Sequence, residues 1–417
     1  MSTAAVRALR ELERLAVGGL DSQAFRRAAL QRIRRIVPID AAWFATADPT
    51  TLLFTSAVAD DMLRPHAARF VRNEFLADDV NQFRSLVRPG VIVGTLDGET
   101  NGRRDHSPRY RDILEPLALG DELRVALVEG GRCWGFLCLH RARGRGFAVG
   151  EVGFLRRASR YLALGLRAGL LLESASTGPE PDGPGLLVLA ADLSLVSANA
   201  AAERLLAEVA DEYWGGHAEL PGAVYGVVGG LLAGDRSDRL ASAPGPRSRM
   251  RTVTGRWLTL HATWLTAPDQ GQERQIAVVL EASSAAQVWP LVRAAHQLSP
   301  RESDVTLLVA RGLSTSEIGL SMRISEHTVQ DHLKAIFDKF GVHSRGQLLA
   351  AIFGGHYLPL MMGSKAALEL APPASWGRWR PQQASQPPEA SSATHDNSRD
   401  SGAKPEPRPH RRGPASS

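Results

Sequence analysis

The sequence predicts a multidomain chain: an α+β domain, a smaller α+β domain, an all-α four-helix domain and a disordered tail. Three observations predict it. Linker-like stretches divide the 417 residues, a length that suits about three domains. Strand-like alternation mixes with helical spacing in the first two segments. Near the C-terminus, three capping boxes each precede an apolar helical period. Hydrophobic residues make up 44% and charged residues 22%, an ordinary globular balance that rules out wholesale disorder.

Boundaries come from composition. Ser174 to Gly185 is rich in Ser, Pro and Gly, which places a linker at 174–184. A second break is expected at Ala282 to Pro290, and a third after His356. From Pro372 onward lie 9 of the 25 prolines, so 362–417 is expected to be disordered. Lys and Arg (49) outnumber Asp and Glu (44) by only five, too few to diagnose a nucleic-acid partner. Two cysteines exclude a disulfide scaffold and suit a reducing cytosol. The most apolar stretch, Tyr161 to Leu172, is short and carries Arg167, and charges interrupt the N-terminus. A cytoplasmic chain without membrane contact is expected.

In segment 1–173, Phe25, Ala29, Ile33 and Ile36 recur at helical spacing, and Pro38 stops that helix. Ala42 to Thr46 and Leu52 to Thr55 read as strands around Asp48-Pro49-Thr50. Leu123 to Val128 and Cys133 to His140 flank Gly130-Gly131, a hairpin signal. Cys133 and Cys138, five apart on a strand, are expected on opposite faces, while Cys138 and His140 share one. Asp60-Asp61 reads as a solvated acidic pair. A long helix from Val149 to Glu173 either covers its own sheet or dimerises through its Leu surface.

Segment 185–284 repeats the theme on a smaller scale. Leu186 to Leu189 and Leu193 to Val196 are strands, and Asn199 caps a helix through Val209. Trp257 to Leu265 alternates, with Ile276 to Leu280 beside it. Its Trp257/His261 face is expected to meet solvent, with a pocket wall as the alternative.

The sharpest signal lies in 294–359. Ser299-Pro300-Arg301-Glu302, Ser314-Thr315-Ser316-Glu317 and Ser344-Arg345-Gly346-Gln347 are S-x-x-E/Q boxes. Ser325 caps a further helix through Phe340, and Gly312, Gly341 and Gly354-Gly355 are stops. Two short helices joined by a tight turn make a helix-turn-helix, whose second helix enters the major groove. On that helix Val329, Leu333, Ile336 and Phe340 form the buried stripe, and His327, Gln330, Asp331, Lys334 and Asp338 face outward. Gln suits adenine and Lys suits guanine. Ser314, Ser325 and the helix N-termini suit phosphates, and Thr328 joins the candidate contacts. Lys339 and Arg345 either touch phosphate or pair with an acid such as Glu302. His332, beside the stripe, reads as a packed histidine.

Residues 298–357 resemble the LuxR/FixJ-type DNA-binding domain. The likeness is carried by Leu298-Ser299-Pro300-Arg301-Glu302, Glu317-Ile318, Ile324-Ser325-Glu326-His327-Thr328-Val329, His332, Ile336, Lys339 and Gly341-Val342-His343-Ser344-Arg345. It implies a four-helix domain that reads double-stranded DNA, usually as a homodimer. Residues 21–173 resemble a GAF domain through Val37-Pro38-Ile39-Asp40-Ala41-Ala42-Trp43-Phe44 and the run from Gly130 to His140. Residues 185–284 resemble a PAS-type domain through the run from Gly185 to Leu206. Those resemblances imply sensory modules.

Residues 294–360 hold six Lys/Arg and six Asp/Glu, so the charge there balances, whereas 361–417 hold eight and five. DNA affinity of one unit is therefore expected to be modest, with dimerisation supplying the rest. No phosphate loop, H-E-x-x-H or G-x-S-x-G occurs, so neither an enzyme nor a cofactor is expected. The expectation is a transcription regulator, with RNA polymerase and a small-molecule effector as further partners. The alternative is a signalling scaffold that binds a protein through a degenerate helix-turn-helix.

Overall fold

The computed structural model describes residues 2–88, 90–172, 183–209, 220–235, 245–265 and 274–352. The linker expected at 174–184, apart from its last two residues, lies outside these, as do the end of the fourth helix and the expected tail.

The chain opens with two helices, α1 (Thr3–Ala16) and α2 (Ser22–Arg34), capped by Ser2 and Asp21. Then follow β1 (Ala41–Ala47), β2 (Phe54–Ala59), α3 (Ala67–Leu76), α4 (Phe83–Leu86), β3 (Val93–Thr95), α5 (Leu96–Thr100), β4 (Leu119–Glu129), β5 (Arg132–Ala142) and α6 (Val149–Leu172). The antiparallel sheet has the order β2-β1-β5-β4-β3. At the β4–β5 turn, Gly130 (φ 59°) and Gly131 (φ 73°) both take the left-handed conformation that a two-residue hairpin requires. Helices α1, α2 and α6 stack on one face, where Leu12, Phe25, Ile33, Phe154 and Leu162 meet Phe44, Leu123, Val125 and Leu137. The long helix α6 thus covers its own sheet.

The second sheet holds β6 (Gly185–Leu189), β7 (Leu195–Ala198), β8 (Arg247–Arg251), β9 (Trp257–Leu265) and β10 (Gln275–Ala282), in the order β7-β6-β10-β9-β8. Numbered within each sheet, both have the strand order 2-1-5-4-3. Helices α7 (Ala200–Ala207) and α8 (Gly222–Asp235) pack on its inner face over Leu187, Leu258, Leu260 and Val278. Asn199 caps α7, accepting from Ala202 N at 2.8 Å.

The two sheets are joined closely. A Cβ at Gly226 of α8 would stand 2.4 Å from the Phe54 carbonyl oxygen, and one at Gly229 would stand 2.3 Å from the Phe75 ring. Only glycine permits α8 to lie this close to β2 and α3.

Several expectations need correction. The break expected at 282–290 is a helix, α9 (Ala285–Ala295), opened by a complete Ser284/Gln287 capping box and containing Pro290. Trp257 does not face solvent: it is 1% exposed beneath Val288, Leu291 and Val292 of α9. Cys133 and Cys138 lie on one face, in the cluster with Phe54, Phe83 and Phe136. The reason is a bulge: pairing steps from Leu127↔Gly135 to Val128↔Cys133, so Trp134 is an extra residue that reverses the alternation. Both thiols are free and buried. Asp60 is not simply solvated, since its carboxylate pairs with Arg34 and accepts from Ala42 N at 2.7 Å.

Beyond α9 come α10 (Pro300–Ala310), α11 (Thr315–Met322), α12 (Glu326–Phe340) and α13 (Arg345–Ile352). Leu298, Val305, Val309, Ile318, Val329, Leu333, Ile336 and Leu348 make their core. No helix among the described residues is long and apolar enough to cross a membrane.

Candidate nucleic-acid interface

Local chemistry builds the helix-turn-helix. Ser314 Oγ accepts from Glu317 N at 3.3 Å, and Glu317 Oε2 accepts from Ser314 N at 2.8 Å, completing the box that opens α11. Arg323 takes a left-handed φ of 57° and ends that helix. The chain then turns tightly back, with Ile324 N donating to Gly319 O at 3.0 Å. A Cβ at Gly319 would lie 2.9 Å from Ile324 O, so the missing side chain lets the turn close. Ser325 Oγ accepts from Thr328 N at 3.1 Å and lies 2.8 Å from Thr328 Oγ1, fixing the start of α12. Gly341, at φ 66°, ends it. The expected third box is half-formed: Gln347 N donates to Ser344 Oγ, but Gln347 Oε1 accepts from His343 N instead of Ser344 N.

The outer side of α12 is open. His327 and Asp331 side chains are 84% and 67% exposed, only 3.8 Å apart as an i,i+4 pair. Gln330, Lys334 and Asp338 are exposed as well. Among the described residues, the side chains of Gln330 and Lys334 have no hydrogen-bond or ionic partner. The inner stripe of Val329, Leu333 and Ile336 is buried, as the spacing predicts. His332 is half-buried beside it.

Beyond the capping hydroxyls, Lys339 and Arg345 are also engaged within the domain. Lys339 Nζ lies 2.6 Å from Glu302 Oε2 and donates to Gln297 O at 3.1 Å. Burial raises the Glu302 carboxyl, but Lys339 and the Ser299 donors outweigh it and hold that carboxyl below its ordinary range. Arg345 donates to Leu313 O at 2.7 Å and to Thr315 Oγ1 at 2.8 Å, bracing the start of α11. The structure therefore gathers Ser325, Thr328, Gln330, Asp331 and Lys334 on the exposed part of α12 and its cap. Ser314 caps the preceding helix.

The domain is tied to the rest of the chain at its inner side. His296 stacks on Phe340 with ring centres 3.7 Å apart. Gln297 Nε2 donates to Glu129 Oε1 at 2.8 Å, and Arg167 Nη1 donates to Ala295 O at 3.0 Å. These contacts fasten the end of α9 and the connector after it to the β4–β5 hairpin and α6, and α12 stacks on that connector through Phe340.

Comparison with known proteins decides the nature of this domain. The family described as bacterial regulatory proteins, luxR family, matches residues 296–351. Those residues form a LuxR-family helix-turn-helix domain. A relative, GfsR of Streptomyces halstedii, named as a probable HTH-type transcriptional regulator, is 33% identical over 132 residues, which is 31% of this chain and 54% of GfsR. The y4qH protein of Sinorhizobium fredii, named as a regulator of the same type, is 52% identical over 48 residues, 12% of this chain and 15% of that protein. The chain thus spans about half the length of GfsR and less of y4qH. Among solved structures, Escherichia coli SdiA covers 80% of this chain and 90% of its own at 12% identity and a TM-score of 0.26, too loose a likeness to bear on function.

A second polar constellation escapes sequence reasoning. On the first sheet's other face, Glu122 Oε2 meets Arg109 Nε at 2.7 Å and Arg124 Nε at 3.1 Å. Arg124 Nη1 also meets Glu74 Oε2 at 2.6 Å, and Arg109 Nη1 lies 3.5 Å from Asp79. Burial opposes the Glu122 charge, yet the two guanidiniums win and hold its carboxyl at about 2. Burial lowers His140 to about 4 against the attraction of Glu122, so it is neutral near pH 7. The available signal is a run of charges, Asp121, Glu122 and Arg124, inside a strand otherwise built mainly of apolar residues.

Proposed function

We propose that this chain is a sequence-specific DNA-binding transcription regulator whose α12 enters the major groove. The observation that carries the reading is the open polar side of α12, where Gln330 and Lys334 have no partner among the described residues, on a LuxR-family domain. Lys334 and Gln330 have the donors and acceptors to read base edges, with Thr328 and Asp331 beside them. Ser314, Ser325 and the N-termini of α11 and α12 suit phosphate contacts. Lys339 and Arg345 brace the domain and reach phosphate only by sharing or leaving their present partners. A homodimer would place two such helices on half-sites about 34 Å apart, or multiples of that spacing. In this reading the two sheet domains are GAF-like and PAS-like sensors that bias the pairing. RNA polymerase is the downstream partner, and no reaction is catalysed.

Selection of bound fragments from genomic DNA, followed by footprinting with the full chain, tests the proposal. A protected site is expected, and its loss in Lys334→Ala identifies the helix. Absence of any protected site would overturn the reading. A second reading, a scaffold that binds a protein, draws on the balanced charge of residues 294–360. A salt titration separates the two, because DNA affinity falls steeply with salt through counterion release.

A further inference from the structure

Between β1, β2 and β5 on one side and α3 and α8 on the other lies a cavity of about 80 Å³. Its walls are mainly apolar and aromatic, with Trp43, Phe70 and Phe83 from the first sheet domain and Tyr225 from α8. Glu122 and His140 supply polar atoms to the same lining. Both are buried, at 1% and 2% exposure.

These two side chains are incompletely satisfied. Glu122 Oε2 takes both guanidiniums, whereas Glu122 Oε1 has no hydrogen-bond partner among the described residues. His140 Nδ1 has none either. The two atoms lie 3.9 Å apart, too far for a hydrogen bond to each other. One hydroxyl oxygen fits between them, at about 2.7–2.8 Å from each. Leaving such atoms unpaired in a buried site is costly, so a ligand that satisfies both gains what the fold alone does not supply.

Charge and shape narrow the ligand further. The guanidiniums of Arg109 and Arg124 already face Glu74, Asp79 and Glu122. Arg64, which also lines the cavity, faces Asp61 at 3.2 Å, so another buried charge would have to compete with a pair already made and would carry a desolvation cost. We propose that this cavity binds a small uncharged molecule, apolar or aromatic over most of its surface, whose single hydroxyl sits between Glu122 Oε1 and His140 Nδ1. Because Tyr225 and Leu220 come from the segment that carries the second sheet, the ligand touches both sheet domains. The inference goes beyond the proposed function, since the binding step needs no DNA.

The test uses the full chain with p-cresol, followed by calorimetry. Its matched probe is 4-methylanisole, which keeps the ring and lacks the donor. Saturable one-to-one binding of p-cresol is expected, with 4-methylanisole weaker by about tenfold or more, the usual effect of losing a hydrogen bond to a charged group. Ala67→Phe, which adds a ring to the cavity wall from α3, is expected to abolish p-cresol binding. Equal binding of the two probes would reduce the site to an apolar hole and overturn the proposal. So would failure of p-cresol to saturate, which would leave water as the natural bridge, or unchanged binding in a folded Ala67→Phe. The probe comparison needs no variant, so poor folding of that protein would not spare the proposal.

Discussion

Two polar surfaces of this molecule use the same side-chain chemistry to opposite ends. On the first sheet, Arg109, Arg124, Glu74 and Glu122 are 8% exposed or less, and each is fastened to another. On α12, Gln330, Asp331 and Lys334 are exposed, and Gln330 and Lys334 are fastened to nothing among the described residues. Charges taken out of water must be paired within the fold, so removing one harms folding. Charges left in water are weakly committed, so removing one harms only what arrives from outside.

The comparison breaks first at its buried end. Arg109→Met leaves Glu122 and Asp79 short of a counter-charge and is expected to cost about 3–5 kcal/mol in denaturant unfolding. A loss below about 1 kcal/mol would mean that the network is not held as described. At the joint between the sheets, Gly226→Ala forces α8 off the Phe54 backbone and is expected to cost about 1–3 kcal/mol. The exposed surface gives the converse outcome. Lys334→Ala should weaken specific DNA binding by about 1–3 kcal/mol while the unfolding midpoint stays in place. A lowered midpoint with intact binding would reverse the assignment of the two surfaces.

Acidity sharpens the contrast. His140 sits at about 4 in the folded chain against an ordinary 6.5, so between these values the unfolded chain takes up a proton that the folded chain refuses. Stability from this group is full above pH 6.5 and is lost as pH falls towards 4. A loss of about 1–2 kcal/mol near pH 5 is expected, flattened in His140→Gln. The smallest effect belongs to the cap: Ser325→Ala is expected to cost about 1 kcal/mol of stability.

The two surfaces also differ in how far they can be read from the sequence. Every determinant of α12 is local: a cap at Ser325, an apolar stripe at Val329, Leu333 and Ile336, and a stop at Gly341. The buried network brings Glu74 of α3 and Arg109, distant in the sequence, to Glu122 and Arg124 of β4; the charges within β4 leave a local mark, but no short-range pattern names their partners. Helix α8 is equally hidden, because its glycines remove helical preference and its apolar residues run all round. The bulge at Trp134 defeats strict alternation for Cys133 and Cys138. Both sheets' central strands and the turn at Gly130-Gly131 are legible, since alternation and positive φ leave direct marks on residue choice.

A helix at 285–295, where composition marks a break, leads directly into the four-helix domain. Each residue inserted into such a connector turns everything beyond it by about 100° and advances it by about 1.5 Å. On the proposed reading, a twist of the body would become a change of phase between paired copies along the duplex, with connector length as its setting.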